Sequence, residues 1–546
     1  MVTTQFIPHA TAAEDGTPVL VTTTTPAILK KLQNGSDVRG VALEGVPGEP
    51  VTLNEEAAYL IGAAFVDWLA DKKGKKPSEL SIAVGRDPRL SGPALANAMF
   101  AGFGSKDVGR VVDMGIATTP ACFMATVTPG VAYDAGIMLT ASHLPFNRNG
   151  AKFFTSDGGL DKADIKRICE DAAAACQAAP DGHAIPLDGD DAVESVPFLE
   201  DYAAQLRDLI KKGANHPTAY DEPLTGMKII VDAGNGSGGF FAKSVLEPLG
   251  ADVYGSQFLD PDGKFPNHSP NPEDAEAMDS AVEATVKAKA DLGVIFDTDV
   301  DRSAVIDGDG NPINRNKLIA LLAAIILDEH PGSTVVTDSV TSDGLAEFIE
   351  GKGGKHVRYM RGYKNVINEG VRRDKAGEPC HLMIETSGHG AMKENYCLDD
   401  GAYIAVKIII EAVRRRLSGG KGISDLLSEL REPLEEKEVR LKITCDDFKA
   451  YGGDVLEQLK EAVRSMKGYT PVDVNYEGYR VNRDEGDGKR GWFLLRQSLH
   501  DPVMVLNFES EIPGGVDAMA KDVVAWLKEK DFASLDASAV YAILDK

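Results

Sequence analysis

Short apolar runs alternate with polar, glycine-marked loops and with stretches of helical spacing along most of the chain. The first clear case is an apolar strand at residues 80–84. A loop with Arg86 and Arg89 follows, then an alanine-rich helix that starts near Ser91-Gly92-Pro93. A strand at 110–115 comes next. Residues 136–139 read as another strand, 140–143 as an exposed loop, and the apolar run from Lys152 as a returning strand. Pro145 and Asn149-Gly150 set the turn. A second block opens with a strand at 227–232, passes a glycine turn at 234–239 and continues into a helix. A strand follows at about 251–254, and another at 292–296. A third block opens at 333–339, with a helix from about Ser342 and a strand at 381–384. Strands alternating with helices predict α/β domains with at least partly parallel sheets. The recurrence reads as a weak triplication of one such domain. The tail differs. Residues 435–444 alternate as an edge-like strand, 490–507 hold two strands about a loop, and helical segments cover 454–466 and 516–529. That pattern predicts a smaller α+β domain.

The 546 residues accommodate three or four domains at roughly 150 residues each. The expected boundaries are an extended arm over 1–30, α/β domains over 31–195, 196–312 and 313–433, and the α+β domain over 434–546. Within the first domain, 172–191 reads as a helix end and a surface connection. A hydrophobic content of 43% and a charged content of 26% suit a sizeable core. The net charge of −26 argues against nucleic acid or an anionic membrane as partner. It leaves room for an anionic small substrate met by local Arg and Lys. Cys122, Cys169, Cys176, Cys380, Cys397 and Cys445 show no C-x-x-C spacing and read as free thiols of a reducing compartment. The longest apolar run, 318–327, is too short to span a bilayer. The first thirty residues carry Glu14 and Asp15 and no signal or transit pattern. The expected location is soluble, intracellular and cytoplasmic, with the chloroplast stroma as the alternative if a transit peptide has been removed.

Four loops carry chemistry. Asp297, Asp299 and Asp301 alternate after an apolar strand and are followed by Arg302. Carboxylates so close repel one another unless a cation neutralises them, so the trio suits a hard divalent ion bound through oxygen. The β-branched Thr298 and Val300 between them favour a fixed, extended segment. An EF-hand is excluded, because its sixth and twelfth positions hold Arg302 and Gly308. An Asp-nucleophile phosphatase would normally open its domain with such a motif. Ser142 is the candidate nucleophile, with His143 and Lys152 as nearby proton handlers; alone, the stretch reads more readily as a surface loop with an idle serine, because adjacent Ser and His do not make a triad. Glu385-Thr386-Ser387-Gly388-His389 offers a carboxylate, a hydroxyl and an imidazole suited to sugar hydroxyls, or forms a self-satisfied loop. Arg496, Ser498 and His500 form either an anion cradle or an ordinary Pro-terminated hairpin loop. Gly234 to Gly239 fits G-x-G-x-x-G, but no acid ends the following strand. A structural turn that lets a helix pack close is the preferred reading.

In this order the loops resemble the α-D-phosphohexomutase family of phosphoglucomutases and phosphomannomutases, over about residues 34–509. The motifs are Asp37-Val38-Arg39-Gly40, Thr140-Ala141-Ser142-His143, Asp297-x-Asp299-x-Asp301-Arg302, Glu385-x-Ser387-Gly388-His389 and Arg496-x-Ser498. Gly85-Arg86-Asp87 and Phe265-Pro266-Asn267 are further landmarks. The T-A-S-H-L-P and R-Q-S-x-H wording is most similar to the plant-plastid members. The resemblance implies three similar α/β domains with mixed sheets and a smaller C-terminal α+β domain around a central cleft. It also implies an intramolecular phosphotransferase interconverting hexose 1- and 6-phosphates. Ser142 would carry a phosphoryl group. One Mg2+ per chain would be held by Asp297, Asp299, Asp301 and the phosphoserine. Glucose 1,6-bisphosphate or an equivalent would act as activator.

Arg39, Lys152 and His143 would then serve the serine chemistry. Arg302, Tyr363, Lys364, Glu385, Ser387, His389, Arg496, Ser498 and His500 would contact the phosphosugar. Glucose and mannose phosphates are placed ahead of glucosamine phosphate. A non-catalytic phosphosugar-binding or regulatory protein is the rival from another class, and a simple phosphatase a third reading. A monomer or homodimer is expected. The departures are Leu144 where the family has Asn, Thr298 and Val300 where glycines are common, and Leu499, His500 and Asp501 where the phosphate loop has Gly, Thr and Glu.

Overall fold

The computed structural model describes residues 10–12, 18–20, 24–179, 182–183, 185–186, 192–420, 422–498 and 501–544. The chain divides into two compact units. One comprises residues 1–314, 387–390 and 398–423; the other comprises 315–386, 391–397 and 424–546. The stretch read as a third domain therefore contributes to both.

In the first unit, Ser81–Arg86 lies between Arg110–Ile116 and Ala135–Leu139 and runs parallel to both. Arg148–Thr155 returns antiparallel beside Ala135–Leu139 and also pairs with Asp37–Val41. Among the helices of this block, Glu55–Lys73 has clear ends. The Asn54 side chain caps its first turn, and Gly74 ends it at φ 63°. Its inner face buries Leu60, Phe65 and Leu69 in the main core of this unit. The extended arm expected over 1–30 ends earlier than read. Ala10–Ala12 and Pro18–Leu20 pair antiparallel, and Pro26–Lys31 is a helix, because the Thr25 hydroxyl caps it and Pro26 suits a first helical position.

A second sheet in this unit runs Ile229–Asp232, Leu292–Phe296, Ser303–Asp307, Pro312–Ile313, parallel at the first step and antiparallel thereafter. The helix expected after the glycine turn is only a short π-helix, Phe241–Leu246, running into a 3-10 turn that contains Pro248. The strand expected at 251–254 is reduced to isolated bridges. The glycines act by close approach. A Cβ on Gly239 would lie 1.9 Å from the Leu259 carbonyl oxygen, and one on Gly236 2.8 Å from the Thr298 backbone. Ser237 N–H donates to the Thr298 carbonyl at 2.8 Å, so the turn braces the acidic loop.

In the second unit, Thr334–Thr337 lies between Lys355–Arg358 and Cys380–Ile384, all parallel. Ser342 caps the helix Asp343–Gly351, as its position predicts. The C-terminal sheet is antiparallel, with Lys489–Gln497 between Tyr479–Gly486 and Val503–Ser510. Glu435–Ile443 pairs along its length with Val503–Ser510 and, among the described residues, on its other side only with the two residues of Leu535–Asp536, so it is nearly an edge. Phe448–Val463 and Gly515–Lys530 are the expected helices.

The three α/β sheets share one plan. The serine loop leaves the carboxyl end of Ala135–Leu139, the acidic loop that of Leu292–Phe296, and residues 385–389 that of Cys380–Ile384. Carboxyl ends of parallel strands are where such sheets bind ligands. No described helix is long and apolar enough to cross a membrane. All six cysteines are free thiols.

Two expectations follow from packing. Gly236→Ala forces its methyl into the acidic loop and should destabilise the protein by about 1–3 kcal/mol, read as a lowered melting temperature. Glu509 is buried beside Asp343, whose N–H it accepts at 3.3 Å, and burial pushes its carboxyl up to about 7. A raised acid stabilises fully below the unfolded value of 4.5 and loses that contribution as pH rises through about 7. Glu509→Gln should therefore flatten the decline in melting temperature across that interval.

Candidate active site

Phe296 pairs with Ser303, so the acidic segment must reverse direction within the intervening residues. It is a tight turn and not the extended segment that its β-branched residues suggest. Val300 sits at φ 65°, a left-handed conformation that costs a β-branched residue about 1–3 kcal/mol. The turn is held from several sides. Gly401 N–H donates to the Val300 carbonyl at 3.1 Å, and Thr119 N–H to the Asp299 carbonyl at 2.9 Å.

Asp297, Asp299 and Asp301 are each at most 1% exposed. Burial, then the Asp301 charge, pushes the Asp297 carboxyl well above the usual carboxylate range. Burial acts on Asp301 too, but Lys152, His389 and Arg302 hold its carboxyl below that range. Lys152 Nζ donates to Asp299 Oδ2 at 2.9 Å and also bonds the Asp301 carboxylate. Arg302 reaches Asp297 Oδ2 through Nε at 3.2 Å and Nη2 at 3.0 Å. His389 Nδ1 lies 2.6 Å from Asp399 and 3.6 Å from Asp301. Burial opposes its charge, yet these two acids lift it to about 9, so it is an imidazolium at neutral pH. Asp299 Oδ1 and Asp301 Oδ1 remain buried without a hydrogen-bond partner. Ligand atoms of the three acids lie within 4.8 Å of one another. An all-oxygen set with orphaned carboxylate atoms fits a hard divalent cation.

Ser142 is only 3% exposed, against the exposed loop expected. Its hydroxyl donates to Asp297 Oδ2 at 3.1 Å and accepts from Arg302 Nη2 at 2.8 Å. The acidic turn thus draws the serine loop inward. His143 was expected to handle protons. Its Nδ1 lies 2.6 Å from Arg302 Nη2, and a guanidinium only donates, so Nδ1 is an acceptor and the ring is neutral. Burial and the Arg302 charge lower its pKa to about 2. Arg39 flanks the loop, donating to the Ala141 carbonyl at 3.0 Å and to Asp37 at 3.1 Å.

Arg302 and His389, expected to contact the phosphosugar, lie in the acidic cluster, beside Asp297 and Asp301. Thr119 and Asp399 were not foreseen. Thr119 Oγ1 donates to Asp299 Oδ2 at 2.5 Å, and its only sequence signal is the helix start Thr118-Thr119-Pro120. Nothing marks Asp399 in sequence beyond its carboxylate.

The second unit holds other expected residues. Glu385 is 4% exposed and accepts the Gly362 N–H at 2.6 Å, which ties it to the start of the helix Tyr363–Lys375. Tyr363 and Lys364 are the first residues of that helix. Arg496 is buried, 3.8 Å from Glu477, and burial lowers its pKa. Glu477 also accepts from Ser339 Oγ at 2.5 Å and Arg361 N–H at 3.1 Å. Ser498 Oγ accepts the Asp501 N–H at 3.2 Å. Ser387 belongs to the first unit and is buried; Gly388 beside it, at φ 92°, passes close to the Ser303 carbonyl. His500 and Leu499 lie outside the described residues.

Comparison with known proteins matches residues 30–178, 205–310 and 314–434 to phosphoglucomutase/phosphomannomutase alpha/beta/alpha domains I, II and III. A phosphomannomutase/phosphoglucomutase of Pseudomonas aeruginosa is 32% identical over 477 residues, covering 87% of this chain and 91% of that protein. A phosphoglucomutase of Neisseria meningitidis is 29% identical over 476 residues, covering 87% and 93%. The crystal structure of a phosphoglucomutase/phosphomannomutase family protein from Burkholderia thailandensis superposes with a TM-score of 0.72 at 27% identity, covering 94% of this chain and 100% of that one. With the three domains matched in order and the serine and acidic loops in contact, the chain belongs to the phosphoglucomutase/phosphomannomutase family.

Proposed function

We propose that this chain is a mutase interconverting hexose 1-phosphates and 6-phosphates, acting on glucose and mannose phosphates in preference to glucosamine phosphate. One observation carries the site assignment: the Ser142 hydroxyl lies 3.1 Å from Asp297, which is 155 residues downstream. Ser142 carries the phosphoryl group. Asp297, Asp299 and Asp301 hold Mg2+, and the bound ion supplies neutralisation of charge on the transferring group. A sugar hydroxyl accepts the phosphoryl as the bond to Ser142 Oγ breaks, giving a bisphosphate that returns its other phosphate to Ser142.

Arg302 donates to Ser142 Oγ and so stabilises the oxyanion as it leaves. Lys152 exchanges protons beside it, and the Arg39 guanidinium stands there as a fixed positive donor. Neutral His143 keeps Arg302 aimed at the serine. Glu385, Ser387, Tyr363 and Lys364 grip the sugar, and Arg496, Ser498 and His500 hold the phosphate that is not reacting. Glucose 1,6-bisphosphate primes the serine.

The test is an Mg2+-dependent assay over glucose, mannose and glucosamine 1-phosphates with the bisphosphate present. Ser142→Ala should lose at least about 10³-fold in turnover and the covalent phosphate seen by intact mass. Asp299→Ala should lose metal-dependent turnover while remaining folded by circular dichroism. Phosphate carried on another residue would refute the Ser142 assignment. Release of free phosphate without isomerisation would make the chain a phosphatase, and failure to accept phosphate at all would make it a binder.

A further inference from the structure

The guanidinium of Arg89 is wholly buried, and all five of its N–H donors are spent around the serine loop. Nη2 donates to the carbonyls of Ser142 at 2.5 Å and Leu144 at 2.6 Å. Nη1 donates to those of Pro145 at 2.6 Å and Arg148 at 3.0 Å. Nε donates to Asp87 Oδ2 at 3.0 Å. The same Asp87 oxygen accepts from Thr140 Oγ1 at 2.7 Å, and Thr140 Oγ1 accepts the Ser142 N–H at 2.9 Å. Both backbone polar groups of Ser142 are therefore tied to one ion pair. Ser142 sits at φ 51°, a left-handed conformation that a serine does not adopt by preference. Phe265 covers the guanidinium, with its ring centroid 5.2 Å away. Gly263 passes so close that a Cβ there would lie 2.2 Å from the Pro88 carbonyl oxygen.

We infer that Arg89 is a positioning residue for phosphoryl transfer: it turns the serine loop's carbonyls inward and so aims Ser142 Oγ at Asp297. The inference rests on Ser142 being the residue that carries phosphate. Lysine cannot replace it, because three donors on one nitrogen do not reach four carbonyls arranged about a plane. A displacement of about 1 Å at a reacting atom costs on the order of 10²-fold in rate.

Arg89→Lys keeps a cation beside Asp87 and is the primary variant. It should lower kcat about 10²-fold and leave KM within about threefold, with an unchanged circular dichroism spectrum. Arg89→Ala should regain part of its rate with guanidinium chloride at sub-denaturing concentration and none with equal ammonium chloride. A kcat within about threefold of the parent in Arg89→Lys would overturn the inference. So would an activity loss that tracks loss of folded protein in both variants, with no guanidinium rescue. Phosphopeptide mapping of the unaltered chain separates the two readings. Phosphate found away from Ser142 removes the site assignment itself, whereas phosphate on Ser142 with full rate in Arg89→Lys removes only the role of Arg89.

Discussion

Three carboxylates shielded from water cannot share one turn unless positive charge is brought to them. An unpaired buried ion costs several kcal/mol, so the fold must deliver the cations or the acids must take up protons. Both responses are visible. Lys152 comes from the strand after the serine loop, His389 from the segment after Cys380–Ile384, and Arg302 from the turn itself. Asp301 stays ionised among these charges, while Asp297, crowded by burial and by Asp301, is pushed toward its neutral form. This charge balance brings the serine into place. Its hydroxyl bridges the Asp297 carboxylate and the Arg302 guanidinium, one acceptor and one donor.

The same region stores backbone strain. Ser142 and Val300 both lie in the left-handed region, each in a loop that leaves the carboxyl end of a parallel strand. Such conformations persist where surrounding contacts over-determine them. For Val300 the contacts are the Gly401 amide, the Thr119 amide on the Asp299 carbonyl, and the glycine turn whose Ser237 amide meets Thr298. For Ser142 they are Thr140 and the Asp87–Arg89 pair. The geometry of the serine loop and the acidic turn is thus fixed by hydrogen bonds between loops that are distant in sequence.

Much of this was legible in the chain. Apolar runs located the strands, and Ser342 and Pro93 marked helix starts, because caps and periodicity are local signals. The acids stand out in sequence because three carboxylates so close repel one another without a cation, and the serine because of the order of the motifs around it. Other features were not legible. The helix Pro26–Lys31 hid in a run of threonines whose last member is its cap. The glycine turn suggested a full helix, but Pro248 and the close approach to Leu259 leave a short π-helix. Thr119 gives no sign in sequence that its hydroxyl reaches an acid 180 residues away.

The amino-acid order alone settled which residue types are available and on which loops they sit, since strand and turn propensities act over a few neighbours. Only the tertiary structure decided what those residues are. His143 is neutral and His389 charged because one faces a guanidinium and the other two carboxylates, and each partner is distant in the chain. Likewise Arg302 bonds the serine and the acid beside it, pairings that its place in sequence does not announce. Protonation and pairing follow from burial and from charges brought near by folding, and those quantities are not functions of local sequence.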